Sequence, residues 1–207
     1  MQPFFPPQLF KYMKSCHASR FKSDGTLTIG TLSEYRNVEK HGERIGDSHE
    51  GMVGHFETVA TADVATLSPF VKRFVSGVAG RIENCTFTAM YESPEFFVFS
   101  TALEFSRELM KEFGYDACLR IDNPAAFFKA VTLSLQNVAT YEGIFPCSYT
   151  DRFIPPGNFH AAHPAVIKDR AYESQREVRT LWHPVDGHAS PRIIRCLRAI
   201  RHCTRVV

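Results

Sequence analysis

The run Phe96-Phe97-Val98-Phe99-Ser100 constrains this chain more than any other stretch. Its first four residues are large and apolar and leave no polar face, so the segment predicts a strand covered on both sides, central in a sheet. Such a strand needs apolar cover, and a hydrophobic content of 44% with 18 Phe supplies it. At 207 residues the chain fits one α+β domain spanning residues 1–207, and its apolar content excludes intrinsic disorder.

The flanking sequence supplies the partners. Leu9-Phe10-Lys11-Tyr12-Met13 and Thr26-Leu27-Thr28-Ile29-Gly30-Thr31-Leu32 predict strands, the second after an Asp24-Gly25 turn, with a short helix over 14–22 between them. A strand is expected over 55–61 and a short helix over 68–76. Residues 84–91 are expected to form a hairpin with 95–101 over Glu92-Ser93-Pro94. An amphipathic helix over 102–113 ends at Gly114, a strand covers 117–121, and a helix runs over 124–135 with Pro124 in its first turn. A strand over 138–149 is interrupted by Gly143 and Pro146, and the proline-rich stretch 151–166 reads as a loop leading to a strand over 172–182. The polar, glycine-punctuated residues 40–51 read as a long exposed loop, a type of segment that often carries function.

The net charge is +2, yet Arg192, Arg195, Arg198, Arg201 and Arg205 all lie in the last 16 residues, which contain no acid. Removing these five from +2 leaves about −3 for the rest, so a basic terminal segment follows a mildly acidic body. Their spacing over 192–201 fits a helical stripe or a closing strand, and the segment is either a solubilising face or an RNA- or DNA-binding patch. The six cysteines form no C-x-x-C pair, which predicts reduced, mostly buried thiols and a cytoplasmic location. No signal peptide or membrane span is expected.

Candidate chemistry concentrates late in the chain. Read as a strand, Gln175-Arg176-Glu177-Val178-Arg179 places an amide, a carboxylate and a guanidinium on one face, either a wet sheet surface or the floor of a polar site. Upstream polar residues are Tyr12, Tyr35 and Arg36, Asp47 and Glu50 in the long loop, and Ser100-Thr101 at the end of the apolar strand. No metal is expected: His160-x-x-His163 lies in a Pro-flanked loop without further ligands, and Cys16-His17 is a poor nucleophile pair because neighbouring side chains diverge in a strand. No phosphate-binding glycine loop is present.

Phe97-Val98-Phe99-Ser100-Thr101 followed by Gln175-Arg176-Glu177 resembles the Ser-Thr-Ser and Gln/Glu-x-Glu elements of ADP-ribosyltransferases of the Arg-Ser-Glu class, with Arg36 a candidate for the first element. Five further stretches look like a widespread microbial family of unknown function, grouped with ADP-ribosyltransferase-like folds and phage defence. They are Leu9-Phe10-Lys11-Tyr12, Gly46-Asp47-Ser48-His49-Glu50, Val98-Phe99-Ser100, the path from Leu109-Met110 to Arg120-Ile121-Asp122, and Glu173-x-x-x-Glu177-x-Arg179. The match departs where Asn-Asp-Pro is Gly46-Asp47-Ser48, where Lys111 replaces a Trp, and where Ala102 replaces the third Ser-Thr-Ser residue.

The resemblance implies a mixed or antiparallel split β-sheet core with flanking helices, NAD as substrate, and transfer of ADP-ribose to RNA, DNA or protein by a toxin or defence enzyme with an antitoxin partner. NAD hydrolysis, or a non-catalytic module that binds a ligand or partner, would use the same site. In the transfer reading Glu177 stabilises the ribosyl cation, Gln175 orients the acceptor, Ser100 supports Glu177, Arg36 binds the pyrophosphate, and Tyr12 or Tyr35 stacks on the nicotinamide.

Overall fold

A computed structural model describes residues 4, 6–41, 46–151, 153–155 and 163–207. In chain order they form β1 (Leu9–Met13), α1 (Ser15–Asp24), β2 (Thr26–Thr31), α2 (Leu32–Tyr35), α3 (Val38–His41), β3 (Met52–Asp63), α4 (Pro69–Lys72), β4 (Arg81–Glu92) and β5 (Phe97–Ala102). There follow α5 (Arg107–Glu112), β6 (Ala117–Ile121), α6 (Pro124–Leu135), β7 (Ala139–Pro146), β8 (Ser148–Thr150), β9 (Phe153–Ile154) and β10 (Ile167–Asp169). The last elements are β11 (Glu177–Pro184), β12 (Arg192–Arg195), α7 (Leu197–Ile200) and β13 (Cys203–Arg205). The fold is α+β and mostly antiparallel, and no described helix is long and apolar enough to cross a membrane.

The eight-stranded main sheet is organised around β5, as its apolar run requires. One edge of β5 pairs with β11 along its whole length, from Phe97↔Trp182 to Ala102↔Glu177. The other edge is shared: β2 takes Phe97 and Val98, β1 takes Ala102, and the residues between them face a gap. The sheet is therefore split between β1 and β2, with α1 as the link across the split.

One face of the sheet holds the main core. Phe97 and Phe99 of β5, Val178 and Trp182 of β11, and Leu9 and Met13 of β1 pack with Phe21 of α1 and Phe127, Phe128 and Val131 of α6. Helix α6 starts where the sequence places it because Asn123 accepts a hydrogen bond from the Ala126 amide (3.0 Å) and Pro124 opens the first turn. Helix α1 ends at Gly25 with φ +73°, and a Cβ there would meet the Cys196 backbone at 2.6 Å, so only glycine fits. The opposite face carries two smaller apolar clusters, one with Phe10, Tyr12 and Met110, the other with Leu32, Val98 and Leu181.

Several local expectations change in the fold. The 84–91 strand does not pair with β5; β4 pairs with β3 from Met52↔Glu92 to Asp63↔Arg81 and forms a separate three-stranded sheet with β9. The Ser93-Pro94 break ends one sheet and starts another, because the inner face of this arm has its own cover in Val59, Leu67, Phe70 and Val71. The 102–113 helix shrinks to α5: Ala102 completes β5, and Ser106 caps the helix through the Leu109 amide (3.1 Å). The strand expected from residue 172 begins only at Glu177, after a 3-10 segment over Arg170–Gln175. The basic terminal segment is neither one helix nor one strand but β12, α7 and β13.

Those last three elements also curl the sheet. Strands β12 and β13 end the two arms that diverge at the split, yet residues 196–202 join them, so both arms must approach the same end of α1. The Cys196 amide donates to the Gly25 carbonyl (2.8 Å), and Lys22 Nζ donates to the Cys203 carbonyl (3.0 Å). All six cysteines are free; Cys118, Cys196 and Cys203 are buried, while Cys16 and Cys85 are exposed.

Trp182 ties β11 to α6, being 0% exposed with Nε1 donating to Thr132 Oγ1 at 2.8 Å. Trp182→Ala is expected to lower stability by about 3–5 kcal/mol, because a large ring leaves a packed core. Urea denaturation checks this, and a loss under about 1 kcal/mol would contradict the central position of β11.

Candidate functional site

On the face of the main sheet opposite the large core, alternation brings polar side chains together. Register pairs Arg179 with Ser100 and Glu177 with Ala102, so Glu177, Arg179 and Ser100 point the same way from adjacent strands. Tyr12 shares that face on β1 through the Phe10↔Ala102 pair. Ser100 and Arg179 thus occupy the floor between the two small apolar clusters.

Arg179 is the hub. Its side chain is 2% exposed, and its guanidinium donates through Nη1 and Nη2 to the two Glu50 oxygens (2.6 and 2.8 Å), through Nε to Glu177 Oε1 (2.8 Å), and through Nη1 to the Ala165 carbonyl (2.6 Å). Glu177 Oε2 accepts from Lys168 Nζ at 2.6 Å, and the same ammonium donates to Gln175 Oε1 at 2.7 Å and lies 4.9 Å from the centre of the Tyr172 ring. Two carboxylates and two cations thus form one buried, hydrogen-bonded chain, the condition under which buried charge is tolerated.

The local backbone explains this convergence. Gln175 is not on the strand face with Glu177; it ends the 3-10 segment, and Arg176 between them has φ +42°. That left-handed residue turns the chain so that Gln175 and Glu177 both reach Lys168. Of the exposed loop expected over 40–51, residues 42–45 lie outside the described residues and Ser48 and His49 are exposed, but Asp47 and Glu50 are buried. The Asp47 amide donates to the Tyr35 carbonyl (2.9 Å), and the Glu50 amide donates to the Asp47 carbonyl (2.8 Å), a turn that aims Glu50 inward.

A cleft of about 590 Å³, counted with its open mouth, lies over this floor and is lined by Tyr12, Tyr35, Ser100, Gln175, Glu177 and Arg179. Five of the six candidate site residues are therefore brought together. Arg36 is not: its Nε donates to the Glu50 carbonyl at 2.7 Å and its Nη1 pairs with Glu92, so it anchors the 46–51 turn to the end of β4 outside the cleft lining. Besides Arg179, a second basic group reaches Ser100: Lys11, which the sequence pattern did not single out. Its Nζ enters the gap between β1 and β2, donates to the Ser100 carbonyl at 2.8 Å, and lies 4.6 Å from the centre of the Phe99 ring. It satisfies a carbonyl that the split leaves without a strand partner. A lone Lys within Leu-Phe-Lys-Tyr-Met was the available signal for it, and Lys168, after Val166-Ile167, carried a similar one.

Ionisation follows from these contacts. Burial, the largest influence on Glu177, would raise its pKa, but the charges of Arg179 and Lys168 and their hydrogen bonds outweigh it and hold the carboxyl well below the usual range. Burial lowers Lys11 to about 8, with the Glu177 charge acting in the opposite sense. Tyr35 is pushed up by burial and then by the charge of Glu177, and Tyr12 by burial, so both phenols are neutral at physiological pH. The Tyr12 hydroxyl is already committed, donating to the Glu104 carbonyl (3.0 Å) and accepting from the Ser106 amide (2.7 Å), so Tyr12 offers the cleft its ring. Gly30 lets Tyr35 lie against β2: an added Cβ would come within 3.2 Å of the ring.

Among the described residues no group of three or more His, Cys, Asp and Glu side chains is placed to hold a metal ion. His160 lies outside the described residues, and His163 Nδ1 accepts from the Ala165 amide at 3.2 Å.

Three outcomes follow from these contacts. Glu50→Gln leaves the buried Arg179 charge undercompensated and is expected to lower stability by about 3–5 kcal/mol in chemical denaturation; a loss below about 1 kcal/mol would show that Arg179 does not depend on it. Because the pKa of Lys11 is depressed in the folded state, its proton is unfavourable to folding at low pH. That penalty disappears as pH rises through about 8 towards the unfolded value, so stability should increase across this window. Affinity of the cleft for anions should fall over the same range as the ammonium is lost, and Lys11→Met should abolish both trends. No protein-family model, curated protein or solved structure matches the chain, so the functional reading rests on the chemistry of the cleft.

Proposed function

We propose that the chain is an NAD-dependent ADP-ribosyltransferase that transfers ADP-ribose to a macromolecular acceptor. One observation carries the reading: Ser100, Glu177 and a cation, Lys11, reach one cleft from three neighbouring strands, β5, β11 and β1, at the point where the sheet splits. The α+β, antiparallel sheet with its split agrees with the architecture that the sequence resemblance implies.

The chemistry of the residues is consistent with that reaction. Cleavage of the bond between nicotinamide and ribose leaves the electron pair on nicotinamide, which departs neutral, while positive charge develops on the ribose. A carboxylate ionised at every physiological pH can stabilise that charge and accept a bond from a ribose hydroxyl, but cannot act as a general acid; Glu177 is such a group. Lys11 attracts phosphate oxygens, and the Tyr35 and Tyr12 rings supply a stacking wall. Gln175, held through Oε1 by Lys168, orients the acceptor, whose oxygen or nitrogen bonds to the ribose carbon and releases its proton to solvent. RNA or DNA is the acceptor class that the exposed arginines 192, 195, 198, 201 and 205 would serve.

A second reading is favoured by a different fact. Both Glu177 oxygens already accept bonds from Arg179 and Lys168, the arrangement of a binding module that holds a nucleotide without turnover.

Labelled NAD incubated with separate protein, RNA and DNA pools separates these readings. Transfer predicts nicotinamide release with label in one pool, hydrolysis predicts release without it, and a binding module predicts neither. For transfer, Glu177→Gln and Ser100→Ala are expected to reduce nicotinamide release, the first by about 10²–10³-fold, with circular dichroism confirming the fold. Unchanged release in a folded Glu177→Gln protein would refute the role of that carboxylate.

A further inference from the structure

The cleft does not end at Lys11. A second groove continues from it through the gap between β1 and β2, sharing Lys11, Tyr12, Tyr35 and Tyr115 and extending along α1 past Lys14, His17 and Arg20. It reaches Thr28 on β2 and the exposed Ile193 on β12. Lys11 therefore stands at a neck, with the Glu177 network on one side and the outer groove on the other.

The charge of the groove is mainly positive. Lys11, Lys14 and Arg20 face it against a single acid, Glu34. Lys14, His17 and Arg20 are exposed and recur every three residues, so they form one stripe along α1 that leads away from the neck. The Lys14 ammonium donates to the Gly114 carbonyl, which holds it at the groove wall beside Tyr115. A row of cations opening from a polar, aromatic-walled cleft suits a ligand whose anionic arm projects from a ring-bearing head.

The length of the stripe selects between anionic ligands. Six residues of helix rise only about 9 Å, whereas single-strand binding folds hold about 4 to 16 nucleotides. The stripe is too short to track a polynucleotide and fits one pair of linked phosphates.

We propose that this groove is the subsite for the diphosphate arm of a nucleotide, with Lys11 at its neck and Lys14 and Arg20 at its outer end. The identity of the head group in the inner cleft rests on the transfer reading above. The diphosphate itself could belong to NAD or to a free nucleoside diphosphate, and the two sources are separated by test.

Calorimetric titration of the intact protein with NAD, ADP, adenosine and nicotinamide riboside, at about 50 and 200 mM salt, reads the subsite directly. ADP is expected to bind at least about tenfold more tightly than adenosine, with an affinity that falls as salt rises. A Lys14→Ala/Arg20→Ala protein should lose about tenfold or more in affinity for ADP and NAD while binding nicotinamide riboside as before. Arg20→Ala alone, which leaves the Lys14 contact with Gly114 in place, should lose part of it. Stronger binding of NAD than of ADP identifies the dinucleotide as the source, and equal binding identifies the free diphosphate. Equal affinity for ADP and adenosine, or unchanged ADP affinity in the double variant, would overturn the subsite. The outcome is separable from that of the transfer reading. ADP binding that depends on Lys14 and Arg20 without nicotinamide release keeps the subsite and removes the transferase. Nicotinamide release with an unchanged KM for NAD in the double variant does the reverse.

Discussion

The buried guanidinium of Arg179 is the interaction on which the rest of this structure depends. A charge that is almost wholly removed from water must be compensated on every side, and here each partner comes from a different part of the chain: Glu50 from the 46–51 turn, Glu177 from β11 itself, and a carbonyl from residue 165. Satisfying one side chain thus draws in the long polar loop and the segment before β10. Lys168 extends the chain of charges to Gln175, which draws in the 3-10 segment as well. Burying such a set is unfavourable unless all of it is paired, so the network forms as a unit and specifies one arrangement of these segments.

A second constraint is the incomplete pairing of β5. Its edge towards β11 is fully hydrogen-bonded, while its other edge is divided between β2 and β1. A sheet that diverges in this way leaves backbone carbonyls facing a gap, and Lys11 fills that gap by donating to the Ser100 carbonyl. The same cation then stands within electrostatic reach of Glu177, where partial desolvation lowers its pKa. Cleft and groove meet at this residue, so the split organises the polar architecture as well as the backbone.

Much of the local structure was legible. Strands β1 and β6 and helix α6 lie where period and capping place them, because Leu-Phe-Lys-Tyr-Met, the 117–121 run and Asn123-Pro124 encode their conformation within a few residues. The closeness of Ser100 and Glu177 was implied by the resemblance rather than by alternation; it comes from the pairing of β5 with β11, in which Arg179 lies opposite Ser100 and Glu177 opposite Ala102. What misled was pairing. Residues 84–91 and 95–101 flank a good turn signal, yet the first strand joins β3, because the packing of Phe70 and Val71 under that arm outweighs chain proximity. Arg36 carried the correct charge but not the correct place, since its reach is spent on the Glu50 carbonyl and Glu92.

By itself, then, the sequence determined the α+β class, the central position of the Phe-rich strand, and the set of polar residues available for a site, all properties of local periodicity and composition. The tertiary structure alone decided that Asp47 and Glu50 of a charged loop are buried, that Gln175 and Glu177 meet at Lys168 around a left-handed Arg176, and that Lys11, and not Arg36, joins the cations lining the cleft. The first depends on compensating the buried charge of Arg179 by Glu50, 129 positions away, and the last on Lys11 reaching a carbonyl 89 positions away. Local pattern carries no record of such compensation, because desolvation is set by whichever segments close over the charge once the sheet has formed.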